Sequence, residues 1–229
     1  MSRRIALIED EPSIRANYAD ALTKQGYSVA SFADRNSALQ AFQQRLPDLA
    51  IIDISLGEDV EGGFELCRRL RGKSTTMPII FLTARDSDFD VISGLRLGAD
   101  DYLTKDVSIH QILARVAALF RRIDALEKEL AEGDLRRVGD LCIDTTCLSV
   151  DWKGQKISLT VTEFWILNSL VKIPGHVKSR DQLMQDANIF VDDGTVTSHV
   201  KRLRRKFEAL DDSFQCIETV YGMGYRWKK

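Results

Sequence analysis

The sequence predicts an α/β fold: a (βα)5 doubly wound parallel sheet, followed by a winged helix-turn-helix domain. In the first half, short and continuously apolar runs alternate with helix-period stretches, which is typical of a parallel sheet covered on both faces. In the second half, short alternating strands precede three helical stretches and a terminal hairpin pattern. A chain of 229 residues with 44% hydrophobic content can form two cores, although length alone also permits one domain.

The first half contains five predicted strands, which read IALI, SVASF, LAIID, PIIFLT and DYLT. Helices are predicted over 14–25, 37–45, 64–71 and 91–97, and a long one starts at Ile109. Gly26 and Gly98 follow the first and fourth helices as C-caps, and Pro47 precedes the third strand. The turn residues therefore agree with the periodicity.

The long helix from Ile109 sets the predicted domain boundary. Its apolar spacing continues to Leu130 and is interrupted at Gly133 and Asp134. The charged, Gly-poor segment around this point favours a helical extension with a short hinge over a flexible tether. We therefore predict domains over 1–122 and 138–229, joined by a linker over 123–137.

The second half begins with the predicted strands LCID, CLSVDW and KISL. A helix then starts at Thr160, where Glu163 completes a capping box, and a second follows Ser179, with Gln182 in the same position. A third begins near Thr195, and CIETV and YRWK flank the turn YGMG. Strands, three helices and a hairpin indicate a winged helix-turn-helix.

The composition predicts a cytoplasmic protein that does not enter membranes. No run approaches the roughly 18 apolar residues of a membrane span, and the basic start turns acidic before a signal-peptide core develops. The cysteines form no CxxC pair, so buried free thiols are favoured over a metal site or disulfides. They are Cys67, Cys142, Cys147 and Cys216.

Polar side chains terminate four of the predicted parallel strands. Ligands gather at the carboxyl ends of such strands, so we expect these side chains to form one site. Taken singly, each has an ordinary alternative: a solvated or helix-capping acid, a turn threonine, a core tyrosine or a surface lysine. The residues are Glu9 and Asp10 after the first strand, Asp53 after the third, Thr83 at the fourth, and Tyr102 and Lys105 at the fifth.

The predicted chemistry of this site is phosphoryl transfer to Asp53. Crowded carboxylates repel each other, and Mg²⁺ relieves the repulsion through oxygen ligands. We expect Asp10, Asp53, the backbone carbonyl of Ser55 and, through water, Glu9 to hold the ion. Asp53 is then the nucleophile, and Lys105 pairs with a phosphoryl oxygen.

Two further residues are predicted to transmit the phosphorylated state. Thr83 is expected to donate a hydrogen bond to the phosphate, and its inward movement leaves space into which Tyr102 rotates. This movement couples the chemistry to the fourth helix and the fifth strand.

The third helix of the second half is predicted to be a DNA-recognition helix. Val196, Val200, Leu203 and Phe207 share one helical face, and the basic residues lie on the others. The chain has a net charge of −2, but basic residues cluster locally on this helix. For an isolated run of charges, the alternative is a basic face that is simply solvated. We expect the major groove or its rims to contact Thr195, Thr197, Ser198, His199, Lys201 and Arg202, and phosphates to contact Arg204 and Arg205.

Seven segments carry a family resemblance. IEDEPSI, AIIDISL, PIIFLTARD and GADDYLTK resemble the flavodoxin-like receiver domain of two-component response regulators. Together with TEF, TVTSHVKRLRRKF and ETVYGMGYRW, they make the chain similar to the OmpR/PhoB family of transcription factors over nearly all its length.

The resemblance implies several partners. It implies a sensor histidine kinase that phosphorylates Asp53, and a homodimer formed through the fourth helix, fifth strand and fifth helix. It implies double-stranded promoter DNA with direct repeats, and a wing around Tyr221 that lies along the minor groove. Candidate residues of the dimer face are Asp100, Asp101, Arg115 and Arg122, for which solvated pairs within one subunit are the alternative.

The chain departs from the family pattern at several positions. Asp106 stands where a proline usually follows the lysine, in a peptide bond that is typically cis in receivers, and the loop after Asp53 is about two residues longer. Val91 and Gln111 replace charged residues of the dimer face. Gly194 and Tyr221 stand where arginines are usual near the DNA.

The main hypothesis is therefore a transcription factor switched by phosphorylation, and not an enzyme. One alternative is a regulator that dimerises and binds DNA without phosphorylation, to which Asp106 and the altered loop lend support. Another is a phosphatase that uses Asp53 as nucleophile. It lacks a second catalytic aspartate two residues on, where Ser55 stands, and it leaves the DNA-binding half unexplained.

Overall fold

The computed structural model of the protein describes residues 2–85, 87–129, 135–145, 148–186 and 193–228. The chain divides into two compact units, Met1–Ala114 and Arg115–Lys229. Each unit has its own hydrophobic core. Within the described ranges, no helix has the length and apolar character needed to cross a membrane.

The first unit alternates strands with helices, as the sequence predicts. Its strands are β1 (Arg4–Ile8), β2 (Ser28–Phe32), β3 (Leu49–Ile52), β4 (Ile79–Thr83) and β5 (Asp101–Thr104). Its helices are α1 (Pro12–Lys24), α2 (Arg35–Gln44), α3 (Gly62–Lys73), α4 (Asp88–Leu97) and α5 (Ile109–Glu129), the last of which continues into the second unit.

All five strands of the first unit pair in parallel, in the order β2-β1-β3-β4-β5. The chain moves outward from β1 in one direction and then returns to the other side, which is the doubly wound arrangement. The central strands β3 and β4 are buried at every position, because helices cover both faces of the sheet. The predicted fold class is confirmed.

The second unit opens with a four-stranded antiparallel sheet made of β6 (Leu135–Val138), β7 (Leu141–Asp144), β8 (Ser149–Trp152) and β9 (Gln155–Ile157). Residues 135–137 were predicted to belong to the hinge, but they pair with β7. The reason is that β6 reads LRRV and is exposed at alternate positions, so it carries little apolar signal of its own.

Three helices and a hairpin follow in the part of the second unit that the structure describes. They are α6 (Val161–Val171), α7 (Arg180–Asp186), α8 (Asp193–Glu208), β10 (Ile217–Val220) and β11 (Gly224–Trp227). Both predicted capping boxes form: the Thr160 and Glu163 side chains each bond the other's backbone N–H, and Ser179 and Gln182 do the same.

Large aromatic side chains form much of the second core. Phe207 of α8 stacks on Phe214 with 4.4 Å between ring centroids, and Trp152 and Trp227 pack around this pair. The Trp152 indole N–H also donates to the Asp211 carboxylate at 3.0 Å. Hydrogen bonds from Lys153, Ser213 and Trp152 hold the pKa of Asp211 well below its usual range.

The cysteines that the structure describes are free thiols. Cys67 is buried, and Cys142 and Cys216 are partly buried. Cys147 lies outside the described residues.

Candidate functional site

The predicted pocket residues meet at the carboxyl edge of the parallel sheet. Glu9 follows β1, Asp53 follows β3 and Lys105 follows β5. The Lys105 ammonium lies 2.6 Å from Asp53 Oδ2 and 2.7 Å from Glu9 Oε2. Residues as far apart in sequence as Glu9 and Lys105 are therefore brought into direct contact by the sheet.

Glu9, Asp10 and Asp53 form a cluster of possible metal ligands. One oxygen from each lies within 4.8 Å of the others. The Asp10 carboxylate accepts a hydrogen bond from Gly57 N at 3.0 Å, while the buried Asp53 Oδ1 has no hydrogen-bond partner among the residues that the structure describes. Hard carboxylate oxygens and a buried, unsatisfied acceptor fit a small divalent cation such as Mg²⁺.

Burial and charge act against each other in this pocket. Burial raises the pKa of Glu9, and the Lys105 ammonium opposes that shift. Burial alone would lower the pKa of Lys105, but hydrogen bonds to Asp53 and Glu9 outweigh it and the pKa of the amine is raised. Lys105 therefore stays protonated and balances part of the negative charge of the cluster.

Two residues that the sequence analysis missed hold the backbone of the pocket. The Arg15 guanidinium donates to the carbonyls of Glu9 and Asp10 at 2.5 and 2.9 Å, which fixes the loop that carries both acids. A Cβ at Gly63 would lie 2.1 Å from Asp53 O, so only glycine allows α3 to approach the end of β3 this closely. The paired glycines at the start of α3 were the available signal.

The two predicted switch residues contact the same neighbour, Arg85. Thr83 is buried, and its hydroxyl accepts a hydrogen bond from Arg85 N at 3.4 Å. The Tyr102 hydroxyl donates to Arg85 O at 2.7 Å. The Arg85 guanidinium in turn lies 2.7 Å from the Asp90 carboxylate on α4. Sequence reasoning did not single out Arg85, which connects Thr83, Tyr102 and α4.

The bond between Lys105 and Asp106 is trans, since no cis peptide occurs in the described chain. Lys105 nevertheless reaches both carboxylates of the pocket. The Asp106 carboxylate accepts a hydrogen bond from the Thr104 hydroxyl.

Two of the candidate dimer-face residues, Asp100 and Asp101, are buried within the subunit. Asp100 is buried, and its carboxylate lies 2.7 Å from the Arg71 guanidinium and accepts a hydrogen bond from Ile79 N at 3.0 Å. Asp101 is also buried. Asp100 lies between α3 and β4, so a partner within its own subunit satisfies it. Arg115 is half-buried on α5, and the side chains of Val91 and Arg122 lie outside the described residues.

In the second unit, the predicted apolar face of α8 is confirmed. Val196, Val200, Leu203 and Phe207 are all fully buried. The buried face is wider than predicted, however, because Thr195, His199 and Arg202 are buried as well. The expectation that these three side chains face DNA is wrong: Thr195 and His199 lie on one flank of the apolar stripe, and Arg202, farther round the helix, is buried through its pair with Glu163 of α6.

The basic residues of α8 do not all project into solvent. The buried Glu163 on α6 pairs with Arg202 at 2.8 Å and with Lys206 at 2.6 Å. Arg204 donates to Ile217 O at 3.1 Å and to Thr219 Oγ1 at 2.8 Å, so it fastens the β10–β11 hairpin. Lys201 and Arg205 remain exposed.

A polar cluster joins α7, α8 and the hairpin beside the exposed face of α8. The Tyr225 hydroxyl donates to Thr197 Oγ1 at 3.2 Å, and the Arg180 guanidinium N–H donates to the same oxygen at 3.4 Å. The guanidinium carbons of Arg180 and Arg204 each lie 5.8 Å from the centre of the Tyr225 ring. Arg180 is a further residue that sequence reasoning missed. Thr197 and Ser198 are half-buried.

The β10–β11 hairpin places Tyr221 at its tip. This side chain is 95% exposed, and Gly222 follows it with a φ of 71°. The hairpin is antiparallel, as the sequence predicts for a wing.

Comparison with known proteins agrees with both halves of this architecture. The sequence model described as "Response regulator receiver domain" matches residues 5–117, and the one described as "Transcriptional regulatory protein, C terminal" matches residues 154–227. Similarity also extends along whole curated proteins. The transcriptional regulatory protein BaeR of Escherichia coli is 37% identical over 98% of this chain and 92% of its own length.

The chain is a response regulator of the OmpR/PhoB family. AfsQ1 of Streptomyces coelicolor is 39% identical to this response regulator over 97% of this chain and 96% of its own length. MprA of Mycobacterium tuberculosis is 36% identical over 98% of this chain and 97% of its own length. Among solved structures, a cysteine-to-serine mutant of RitR covers all of both chains with a TM-score of 0.76 at 26% identity. DrrB of Thermotoga maritima, titled an OmpR/PhoB homolog, covers all of both chains with a TM-score of 0.53 at 29% identity.

Proposed function

We propose that this response regulator acts in the cytoplasm, where it accepts a phosphoryl group on Asp53 from a sensor histidine kinase. It then dimerises and binds direct repeats in double-stranded promoter DNA. The observation that carries the proposal is the pocket around Asp53. A buried carboxylate oxygen without a hydrogen-bond partner in the described chain lies beside a protonated lysine and two further acids. Such a pocket can supply both a nucleophile and charge stabilisation for a phosphoryl group.

Mg²⁺ fits this pocket through Asp10, Asp53, the backbone carbonyl of Ser55 and, through water, Glu9. When bound, the ion neutralises negative charge on the incoming phosphoryl group. The remaining chemistry belongs to the side chains. An Asp53 oxygen forms a bond to phosphorus, the bond from phosphorus to the donor histidine nitrogen breaks, and that nitrogen keeps the electron pair.

Lys105 and Thr83 then respond to the new group on Asp53. The Lys105 ammonium, now 2.6 Å from Asp53 Oδ2, pairs with a phosphoryl oxygen. The Thr83 hydroxyl turns to donate to another phosphoryl oxygen, and in doing so it leaves the Arg85 backbone N–H. Because Tyr102 holds the carbonyl of that same residue, the change reaches β5 and α4 together.

The α4–β5–α5 face is the proposed dimer surface, with Arg115 on α5 as a candidate contact. Each copy then presents α8 to a major groove. Thr197 and Ser198 are the candidates for base contacts, and the exposed Lys201 and Arg205 are the candidates for phosphate contacts. Two linked copies on a direct repeat bind more tightly than either one alone, because the second contact is made within one complex.

The test combines phosphorylation, assembly and DNA binding in the full chain. Acetyl phosphate with Mg²⁺ should modify the wild type once, at Asp53, and beryllium fluoride should convert it to a dimer in sedimentation experiments. Asp53→Ala should do neither, and genome-wide mapping of bound sites should show weaker occupancy for that variant. Equal occupancy for Asp53→Ala and the wild type would instead establish a regulator that binds DNA without phosphorylation.

A further inference from the structure

The loop between β3 and α3, which is longer than the family pattern, contains a turn that is closed by its own backbone. Leu56 N donates to Asp59 O at 3.0 Å, and Asp59 N donates to Leu56 O at 3.2 Å. Within this turn, Gly57 has a φ of 65°, a conformation that residues with a Cβ rarely adopt. Residues 56–59, which we call the Gly57 turn, therefore have a defined shape beside the pocket.

The loop contacts two of the candidate magnesium ligands. Gly57 N donates to Asp10 Oδ2 at 3.0 Å. The Ser55 hydroxyl donates to Val60 O at 3.4 Å, which connects the residue after the turn to the one whose backbone carbonyl is a candidate ligand. A hydrogen-bond partner of a metal-binding carboxylate fixes the orientation of that group and raises the affinity for the metal. The Gly57 turn is therefore in a position to orient Asp10 for an ion.

An ion pair holds the turn from outside the pocket. The Arg35 guanidinium lies 3.0 Å from the Asp59 carboxylate, and the two side chains are 29% and 43% exposed. Arg35 is the first residue of α2, whose N-cap Asp34 accepts a hydrogen bond from Ser37 N at 2.9 Å. The pair therefore connects a capped helix to the Gly57 turn, and through the turn to Asp10.

We propose that the pair between Arg35 and Asp59, acting through the Gly57 turn, positions Asp10 for Mg²⁺ and so raises the affinity of the pocket for the ion. The proposal rests on the Mg²⁺ binding that is part of the proposed function, and it assigns two positioning residues to that site. Neither side chain is a ligand in this assignment. Each acts on the ion through the backbone of the loop.

Positioning and simple charge effects predict different results for these two residues. Near the pocket a cation repels Mg²⁺ and an anion attracts it. On charge alone, removing the Arg35 cation strengthens Mg²⁺ binding, whereas neutralising Asp59 weakens it. If the pair holds the turn, both changes release the turn and both weaken binding. The sign of the change for Arg35 therefore separates the two explanations.

The experiment titrates Mg²⁺ into the unphosphorylated full chain at constant ionic strength and follows the backbone amide resonances of the pocket by NMR. Arg35→Ala and Asp59→Asn should each raise the Kd for Mg²⁺ about twofold to fivefold, as expected for the loss of a partly exposed pair. The double variant should lose no more than either single one, because all three remove the same interaction. Arg35→Lys should regain part of the affinity. In Arg35→Ala, the Gly57 amide hydrogen should exchange faster with solvent.

Two comparisons control for unrelated effects. Lys24→Ala breaks an exposed pair with Asp20 on α1 and should leave the Kd unchanged. Gly57→Val and Gly57→Asn both add a side chain where a Cβ meets open space, but asparagine adopts a positive φ far more readily than a β-branched residue. Gly57→Val should therefore weaken Mg²⁺ binding about tenfold or more, and Gly57→Asn much less. Urea unfolding of each variant should show that the receiver unit remains folded.

Two results would overturn the proposal while leaving the magnesium site intact. One is wild-type affinity for both Arg35→Ala and Asp59→Asn. The other is tighter binding by Arg35→Ala together with weaker binding by Asp59→Asn, which would indicate that the two residues act through charge alone. If the wild type showed no saturable change with Mg²⁺, the magnesium site of the proposed function would fail, and this proposal would fail with it.

Discussion

Replacing Glu163 with glutamine should destabilise the second unit strongly although the shape of the side chain is kept. Glu163 is fully buried and accepts a hydrogen bond from Thr160 N at 2.9 Å. Its carboxylate also pairs with Arg202 at 2.8 Å and Lys206 at 2.6 Å. A glutamine oxygen can still accept from Thr160 N, so Glu163→Gln removes the negative charge but keeps the helix cap.

The magnitude follows from burial. The Arg202 side chain is only 9% exposed, and removing one partner of a buried ion pair costs about 3–5 kcal/mol. The Lys206 side chain is 32% exposed, so its pair adds at most about 1 kcal/mol. In a domain of roughly this size, 1 kcal/mol shifts Tm by about 4–8 °C. We expect the unfolding transition of the second unit to move down by at least about 12 °C.

Differential scanning calorimetry of the full chain measures this shift, with near-UV circular dichroism of the tryptophans to assign the transition. Glu65→Gln is the matched control, because Glu65 also pairs with two arginines, Arg68 and Arg69, but in solvent. It should leave the transitions nearly unchanged. A double variant, Glu163→Gln with Arg202→Met, should regain part of the lost stability, since the cation is removed together with its partner. A shift below about 4 °C for Glu163→Gln would refute the reasoning that this buried charge stabilises the domain.

Three further predictions concern other buried or paired groups. Gly63→Ala should destabilise the receiver unit by about 1–3 kcal/mol or more in urea titrations and slow its phosphorylation by acetyl phosphate, because the new Cβ would meet Asp53 O. Gly72→Ala is the control, since Gly72 lies on the same helix with open space around it. Equal behaviour of the two variants would contradict the argument. Asp100→Asn should lower the Tm of the unphosphorylated receiver unit by weakening its pair with Arg71; unchanged stability combined with weaker dimerisation would restore a cross-dimer role. Asp211→Asn should lower the stability of the protein at neutral pH and make that stability depend less on pH in acid. The reason is that the pKa of Asp211 is depressed in the folded state, so the stability it contributes is present above the unfolded-state pKa and is lost as pH falls through the folded-state pKa. Parallel acid unfolding curves for the variant and the wild type would argue against the Asp211 interactions.

Much of the acidic pocket could be predicted from the sequence. Short apolar strands end in polar residues, and a parallel sheet brings those ends to one edge, so Glu9, Asp53 and Lys105 were expected to meet. The supporting residues could not be predicted in this way. Arg15 and Arg85 act through backbone carbonyls and an N–H, and Gly63 acts through the space it leaves, none of which has a clear signature in residue type or spacing.

Helical periodicity determined the apolar face of α8 but not its width. The spacing of Val196, Val200, Leu203 and Phe207 identifies the centre of the buried stripe. Whether a polar neighbour such as Arg202 belongs to that stripe depends on Glu163, which arrives from another helix and offsets the desolvation of the cation. The same holds for Asp100, whose partner Arg71 lies on α3.

By itself, then, the sequence determined the order of the strands and helices apart from β6, the edge of the sheet where the acidic pocket lies, and the apolar stripe by which α8 packs on its domain. These properties depend on local periodicity and on which residues end each strand. Only the tertiary structure decided which charged side chains face solvent, because a charge is buried or exposed according to the partners that other elements bring to it. In this response regulator, Arg202 and Lys206 pair with Glu163, and Asp100 pairs with Arg71, so none of the three is a freely exposed charge. The tip of the β10–β11 hairpin, in contrast, exposes apolar side chains.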